Sequence, residues 1–426
     1  MNQSSRSSKR IIVIGGGLIG ISCAYHLQRD GHDVVVLDAG RIGQECSHGN
    51  CGLLAFSHVH PLCAPGAIRK TLPALLSRRA PLAIPPRLDP SLWMWLLRFA
   101  RNCNQHSCDH ASTIRAALLK HAADSYQTLF REQPDLDCEQ QNVGCLFAFR
   151  NQRSFDDYAQ LDAQMDHEFG MGAHRIDADE LLQREPSLRP GTCVGGYLYP
   201  MDCHLRSDKL VSGWAKICRE LGVEFMEHRK MTKFDRNQGH ASAVTVVEND
   251  VEKRLEADAF VVAAGAISPF LNRQIGCRLQ VQPGKGYSIT SPRPDPCPVH
   301  PTIFQDDKVM VTPMQSGFRI GSTMEFSGYD RQINDSRLQL LRDAANLYLI
   351  DPGHDRAEET WFGWRAMTPD GLPVIGQTQS LPNVYVATGH NMLGLTLAPI
   401  TGHLIAQQIA GETPDIDLAP LSPMRF

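Results

Sequence analysis

The 426-residue sequence contains no uninterrupted apolar run of 18 or more residues, which excludes a conventional membrane-spanning helix. Neither sign of charge dominates: 42 Lys and Arg against 46 Asp and Glu leave −4, so no overall positive field draws nucleic acid. The polar, basic stretch Met1 to Arg10 has neither the apolar core nor the cleavage site of a secretory signal. Thirteen cysteines form no CxxC pair, and an odd number in a chain this long reads as reduced thiols in a reducing, cytoplasmic compartment. Cys103, His106, Cys108 and His110 crowd together too closely to enclose an ion by themselves. They read as polar loop or helix surface, and no metal is expected. Internal repeats and low-complexity segments are also missing.

What is present is a globular composition, 42% apolar and 21% charged, in a chain long enough for two domains. Residues 11–14 form a short apolar strand that runs into Gly15-Gly16-Gly17-Leu18-Ile19-Gly20. A helix is expected over 18–30 with Gly31 as its stop, then a second buried strand, Val34 to Leu37, closed by Asp38. This is a βαβ unit carrying GxGxxG, with Ala24 at the next small-residue position. Its glycines permit a tight turn, close approach of a pyrophosphate, and close packing of helix on strand. Asp38, 21 residues after Gly17, is placed to accept from ribose hydroxyls. Leu18 and Ile19 would offer helix N-terminal amides to the phosphates.

The motif alone does not separate NAD from FAD. Two later apolar strands, Phe260 to Gly265 and Val384 to His390, also end in small residues. They would bring their C-terminal ends to the same sheet edge, so the sheet is assembled from distant pieces of chain. A further α/β passage is expected from Ser207, as N-cap, through a helix to Gly222. Helices are also expected over 111–132 and 336–350, with strand-rich sequence over 280–325.

Four blocks together resemble the D-amino-acid oxidase and glycine oxidase superfamily of FAD enzymes, most closely its bacterial D-amino-acid dehydrogenases. They are Ile11 to Asp38, Phe260 to Ser268, Lys285-Gly286-Tyr287-Ser288, and Trp361 through Arg365 and Gly371 to Gly376; Thr388-Gly389-His390 through Gly394 to Gly402 closes the pattern. The resemblance implies an α/β plus α+β fold: a discontinuous Rossmann-like FAD-binding domain (9–57, 204–280 and 361–426) and a mixed-sheet substrate domain (58–203 and 281–360). It implies non-covalent FAD held by Gly15, Gly17, Leu18, Ile19, Gly20, Asp38, Arg41, Ser47, Asn50, Gly52, Leu53, Ala264, Gly265, Gly389, His390, Gly394, Leu395 and Thr396. A final helix beginning near Leu393 to Thr396 would turn its amides and positive dipole end toward the flavin.

For substrate, the resemblance implies that Arg365 grips the carboxylate, a role suited to a planar, bidentate guanidinium. Tyr287 either hydrogen-bonds substrate or fills the core. No catalytic base is implied, because a neutral substrate amine helps expel hydride from Cα; His48 and His390 read as packing or cofactor-shell residues. Met392 stands where glycine oxidases carry a second arginine, which suggests an apolar side-chain pocket. The implied reaction is oxidation of D-amino or cyclic imino acids in amino-acid catabolism, with electrons passed to an acceptor other than oxygen. The alternatives are an oxidase of glycine, N-methyl or D-amino acids using O₂, or a flavin-binding subunit of a larger complex.

Between Gly66 and Arg101 stand seven Lys or Arg and one Asp, and within that stretch Ser91 to Ala100 carries Trp93, Trp95, Leu96, Leu97 and Phe99. One reading is a solvated loop with a core-packing helix. The other is a peripheral surface, on the inner face of a membrane, that meets anionic lipid or a quinone through residues including Arg78, Arg79 and Arg87. The oligomeric state is left open.

Overall fold

The computed structural model describes residues 8–69 and 80–426. The first two expected strands are Arg10–Ile14 and Asp33–Leu37, parallel and almost wholly buried because both faces of the sheet are covered. They stand in a six-stranded sheet ordered Val374–Gln377, Val384–Thr388, Ala259–Val262, Arg10–Ile14, Asp33–Leu37, Glu224–Met226. All neighbours are parallel except the hairpin Val374–Gln377 with Val384–Thr388. Strands from four distant stretches therefore end along one edge, at Gly15, Asp38, Ala263 and Gly389.

One face of this sheet packs against helices Leu18–Arg29, Ser207–Glu220 and Ala398–Ala410 in a single apolar core. Gly402 has no side chain because Ser22 backbone lies about where one would stand, 2.5 Å from a Cβ. The other face is covered by the antiparallel meander Lys230–Asn237, His240–Glu248, Val251–Glu256.

A second, nine-stranded mixed sheet is built mainly from antiparallel pairs, with Gln282–Ser291 between Glu359–Met367 and Gly317–Glu325. Helix Asp335–Tyr348 covers its outer face. Glu359–Met367 pairs along its whole length with Gln282–Ser291. A domain boundary at 361 therefore divides a strand that belongs to this second sheet.

Three local expectations are corrected. Ser207 is the first helical residue rather than the cap; Arg206 precedes it, and the Ser207 hydroxyl donates elsewhere. The helix expected from 111 starts at Gln105, because the Asn104 side chain accepts from the Ser107 amide and caps it there. The last helix starts at Ala398, with Leu393 to Leu397 forming turns before it.

Part of the basic stretch lies among the described residues. Helix Pro90–Asn102 buries Leu92 and Trp95 and exposes Trp93, Met94 and Leu97. Arg87 turns inward, paired with Asp89 at 2.9 Å and donating to the Phe326 carbonyl, so it is not a free surface cation. Arg78 and Arg79 lie outside the described residues. Among the described residues no helix is long and apolar enough to cross a membrane. All thirteen cysteines are free thiols.

Candidate active site

The glycine loop is shaped by close approach. At Gly15, φ is +109° and a Cβ would stand 2.5 Å from the Ala263 carbonyl oxygen; at Gly20 it would stand 1.9 Å from the Gly15 oxygen. Helix Leu18–Arg29 starts at Gly17 with no side-chain N-cap and no acid in its first turn. The Ser47 hydroxyl accepts from the Leu18 amide at 3.0 Å, which leaves its own proton for an anion at the helix end. Asp38 accepts from the amides of Gly16 and Gly40, each at 2.8 Å. Burial lifts its pKa above the ordinary value, and those two amides oppose the rise. Arg41 is exposed on the loop beyond it. This donor and acceptor set fits the pyrophosphate and ribose of a dinucleotide such as FAD.

Segment 46–53 then crosses from the parallel sheet to the second one. Four successive carbonyls are held by residues from distant elements. Ser207 donates to His48 O at 2.6 Å and Ser288 to Gly49 O at 2.7 Å. Arg319 donates to Asn50 O at 2.8 Å and Thr312 to Cys51 O at 2.7 Å. The Asn50 side chain serves the same loop, donating to Ser47 O and accepting from the Gly52 amide. Gly52 sits at φ +70° against the Leu205 carbonyl, and Leu53 pairs with His204.

Arg319 is 1% exposed, and burial lowers its pKa, so its charge is costly to strand. Arg319→Met is expected to lose about 1.5–3 kcal/mol of stability. Because the released segment borders the glycine loop, FAD affinity should fall at least tenfold, read by flavin release in a dilution titration.

His48 is tied across the same junction to Glu359 at 2.8 Å. The Glu359 hydrogen bond raises the His48 pKa, and His48 lowers that of Glu359. The pair therefore contributes most between the ordinary values of 4.5 and 6.5. Its contribution fades as pH rises through the raised His48 pKa, and again as pH falls through the lowered Glu359 pKa. The difference in Tm between wild type and His48→Gln should peak near pH 5.5 and shrink by pH 9.

Across from this segment, strand alternation decides which side chains face the cleft. Gly284, Gly286 and Ser288 share one face with Trp361, Gly363 and Arg365 of the paired strand. Lys285 and Tyr287 point to the opposite face. Tyr287 is 1% exposed and donates to Glu325 at 2.5 Å within the core under helix Asp335–Tyr348, so core filling is the role its geometry fits.

Arg365 lies over Gly286, where a Cβ would stand 2.2 Å from its Nη1. That nitrogen donates to the Thr323 carbonyl at 2.9 Å, and Arg365 forms no ion pair among the described residues. The Thr323 carbonyl is aimed by a bulge: Lys285 pairs with Glu325 but Tyr287 with Ser322, so one extra residue is inserted. Ser322 and Thr323 take φ of +104° and +53°, an unfavourable backbone that sits beside the guanidinium. The Thr323 hydroxyl is buried and unpartnered. Cys46 and Cys51 complete the wall; burial raises both pKa values against the opposing charge of Arg365, so both stay thiols.

The closing turn carries Gly389, at φ +74°, packed on Thr368, and Gly394, whose Cβ would lie 3.7 Å from His390. His390 is buried and bonded to Thr401 at 2.9 Å, and burial pushes its pKa down to about 3, so it stays neutral. Thr396 accepts from the Ala55 amide, and the Leu395 carbonyl accepts from Tyr126. Gly265, at φ +55°, has open space where a Cβ would point, next to Ala264. The glycine loop, Asp38, Ala264, Gly265 and Gly389 lie at the one sheet edge, while Asn50, Gly52 and Leu53 lie on the segment that crosses to the second sheet, which carries Arg365. No sequence motif marks Ser207, Thr312, Arg319 or Thr323, which hold this segment and Arg365 in place.

Comparison with known proteins gives the same frame. The family model described as FAD dependent oxidoreductase matches residues 10–408. A D-amino acid dehydrogenase of Granulibacter bethesdensis is 32% identical over 98% of this chain and 99% of its own length. One of Methylobacterium nodulans is 33% identical over the same shares. Among solved structures, glycine oxidase from Geobacillus kaustophilus has a TM-score of 0.75 at 22% identity, covering 98% of this chain and 100% of that one.

Proposed function

The chain belongs to the family of FAD-dependent oxidoreductases, and from that premise we propose that it oxidises D-amino acids to the imine and passes the electrons to an acceptor other than oxygen. FAD is its cofactor, and bound FAD supplies the two-electron acceptor for the substrate Cα–H. The observation that carries the substrate class is Arg365: a guanidinium across from the cofactor edge, with one N–H spent on Thr323 and no ion pair among the described residues. It suits a carboxylate held by paired hydrogen bonds.

Support for the D-series comes from full-length relatives named D-amino acid dehydrogenase. Arg365 fixes the carboxylate, and the glycines in front of it leave room for the substrate backbone. His48 is committed to Glu359 and His390 to Thr401, so the substrate amine has to arrive neutral rather than lose its proton to either ring.

The test is a panel of D-, L- and N-alkyl amino acids against anaerobic bleaching of the flavin absorbance near 450 nm. Bleaching by D-amino acids is expected; bleaching by the L-series or by N-alkyl compounds alone would replace the reading. Peroxide formed at the rate of turnover under air would make the protein an oxidase.

The acceptor reading extends to helix Pro90–Asn102, whose exposed Trp93, Met94 and Leu97 stand beside Arg98 and Arg101. This arc suits insertion into an anionic membrane surface that delivers a quinone. Trp93→Gln with Leu97→Gln should abolish co-sedimentation with anionic vesicles, and unchanged sedimentation would remove the helix from that role.

A further inference from the structure

A cavity of about 120 Å³ lies between segment 58–63, helix Gln105–Glu132 and the turns at Met367–Gly371 and Asn391–Leu393. None of the glycine-loop residues, Asp38, segment 46–53 or Arg365 lines it, while Asn391, Met392 and Leu393 of the closing turn do. Arg115 does, and it is only 5% exposed. Its Nη1 and Nη2 donate to the carbonyls of Gly371 (3.1 Å) and His58 (2.7 Å), while its Nε is buried with no partner.

No acid answers that charge. Arg115 forms no ion pair among the described residues, and residues 1–7 and 70–79 contain no Asp or Glu. Asp370, the acid next to the turn, is held by Arg425 at 2.7 and 3.2 Å. The neighbouring rings do not help. Burial and the Arg115 charge push His58 down to about 4 and lower His60 as well, so both are neutral near pH 7. His60 meets Ser112 through Nδ1 at 3.1 Å, and its Nε2 is a second buried nitrogen without a partner.

We propose that this cavity is a second small-molecule site, in which Arg115 Nε and His60 Nε2 together bind one carboxylate. A buried guanidinium without a counter-ion is costly, and a bound anion removes that cost. A neutral carbonyl ligand would satisfy the hydrogen bonds but not the charge. A phosphate would bring about two negative charges against one cation. A carboxylate matches both, and the cavity has room for one on a small apolar body. Leu62 and Met392, 45% and 44% exposed, form an apolar rim.

The carboxylate has two sources. Met367 borders the cavity and shares a strand face with Arg365, so the ligand is either the distal carboxylate of an acidic substrate or a separate carboxylate. The first source rests on the function proposed above; the second does not.

The test is calorimetric titration of the FAD-loaded full chain with acetate and with succinate, neither of which carries an oxidisable amine. In Arg365→Met, acetate should still bind, and adding Arg115→Met, His60→Leu or Leu62→Trp should weaken it at least tenfold. If Arg115→Met does not fold, the other two carry the comparison, since His60 is partly exposed and Leu62 sits on the rim. No acetate binding in Arg365→Met, or binding unchanged by His60→Leu and Leu62→Trp, overturns the proposal. In the wild type, one succinate binding at least tenfold more tightly than acetate supports the distal-carboxylate source. Two acetates per chain with no gain for succinate support a separate ligand.

Discussion

Arg365→Met should lower kcat/KM about a thousandfold while FAD stays bound and the fold stays intact. The estimate follows from removing one partner of a desolvated, charge-assisted pair, about 4 kcal/mol, with each 1.4 kcal/mol worth tenfold. The loss should fall mainly on KM, because the carboxylate is held in the ground state and the transition state alike. Tm should change little, because among the described residues the guanidinium makes a single hydrogen bond, to Thr323 O. Arg365→Lys keeps the charge but not the planar fork, so it should recover less than a tenth of the lost kcat/KM. Steady-state kinetics with a dye acceptor, run beside a flavin absorbance spectrum, reads both quantities. Loss of flavin from Arg365→Met would make the arginine a structural residue of the cleft rather than a substrate ligand.

The dinucleotide half of the fold was legible where its strands, such as Arg10–Ile14, Asp33–Leu37 and Ala259–Val262, hold a continuous apolar run closed by a small or acidic residue. Ile14 to Gly15 and Leu37 to Asp38 are where a buried parallel strand has to stop. The second sheet was less so. Its strand Glu359–Met367 carries the Trp361 to Arg365 block, yet nothing local says which sheet it joins; only its pairing with Gln282–Ser291 decides. Tyr287 was half legible: a strand through Gly286 and Tyr287 has to send them to opposite faces, but which face met the cleft depended on Arg365. Ser207, Thr312 and Arg319 left no local signal, because each donates to a carbonyl more than a hundred residues away. The turn of Thr323 toward Arg365 comes from a bulge, set by register between strands and not by residue type.

Gly286→Ala should raise KM by at least about a hundredfold without loss of FAD, although it adds a single methyl group. That carbon would stand 2.2 Å from Arg365 Nη1 and 2.5 Å from Cζ, far inside contact distance. Gly286 is paired with Gly363 on one side, and its neighbours Lys285 and Tyr287 are paired on the other at either end of the bulge, so its backbone is held in place. The flexible arginine has to move instead, which keeps the stability cost small and transfers the damage to the substrate. Displacement by about 1 Å is enough to cost a positioned group a hundredfold. A double-mutant cycle separates this from a general disturbance of the cleft. In Arg365→Met the clashing group is gone, so adding Gly286→Ala should change kcat/KM less than threefold. Full additivity of the two losses would show that Gly286 acts on the cleft by a route that does not pass through the guanidinium.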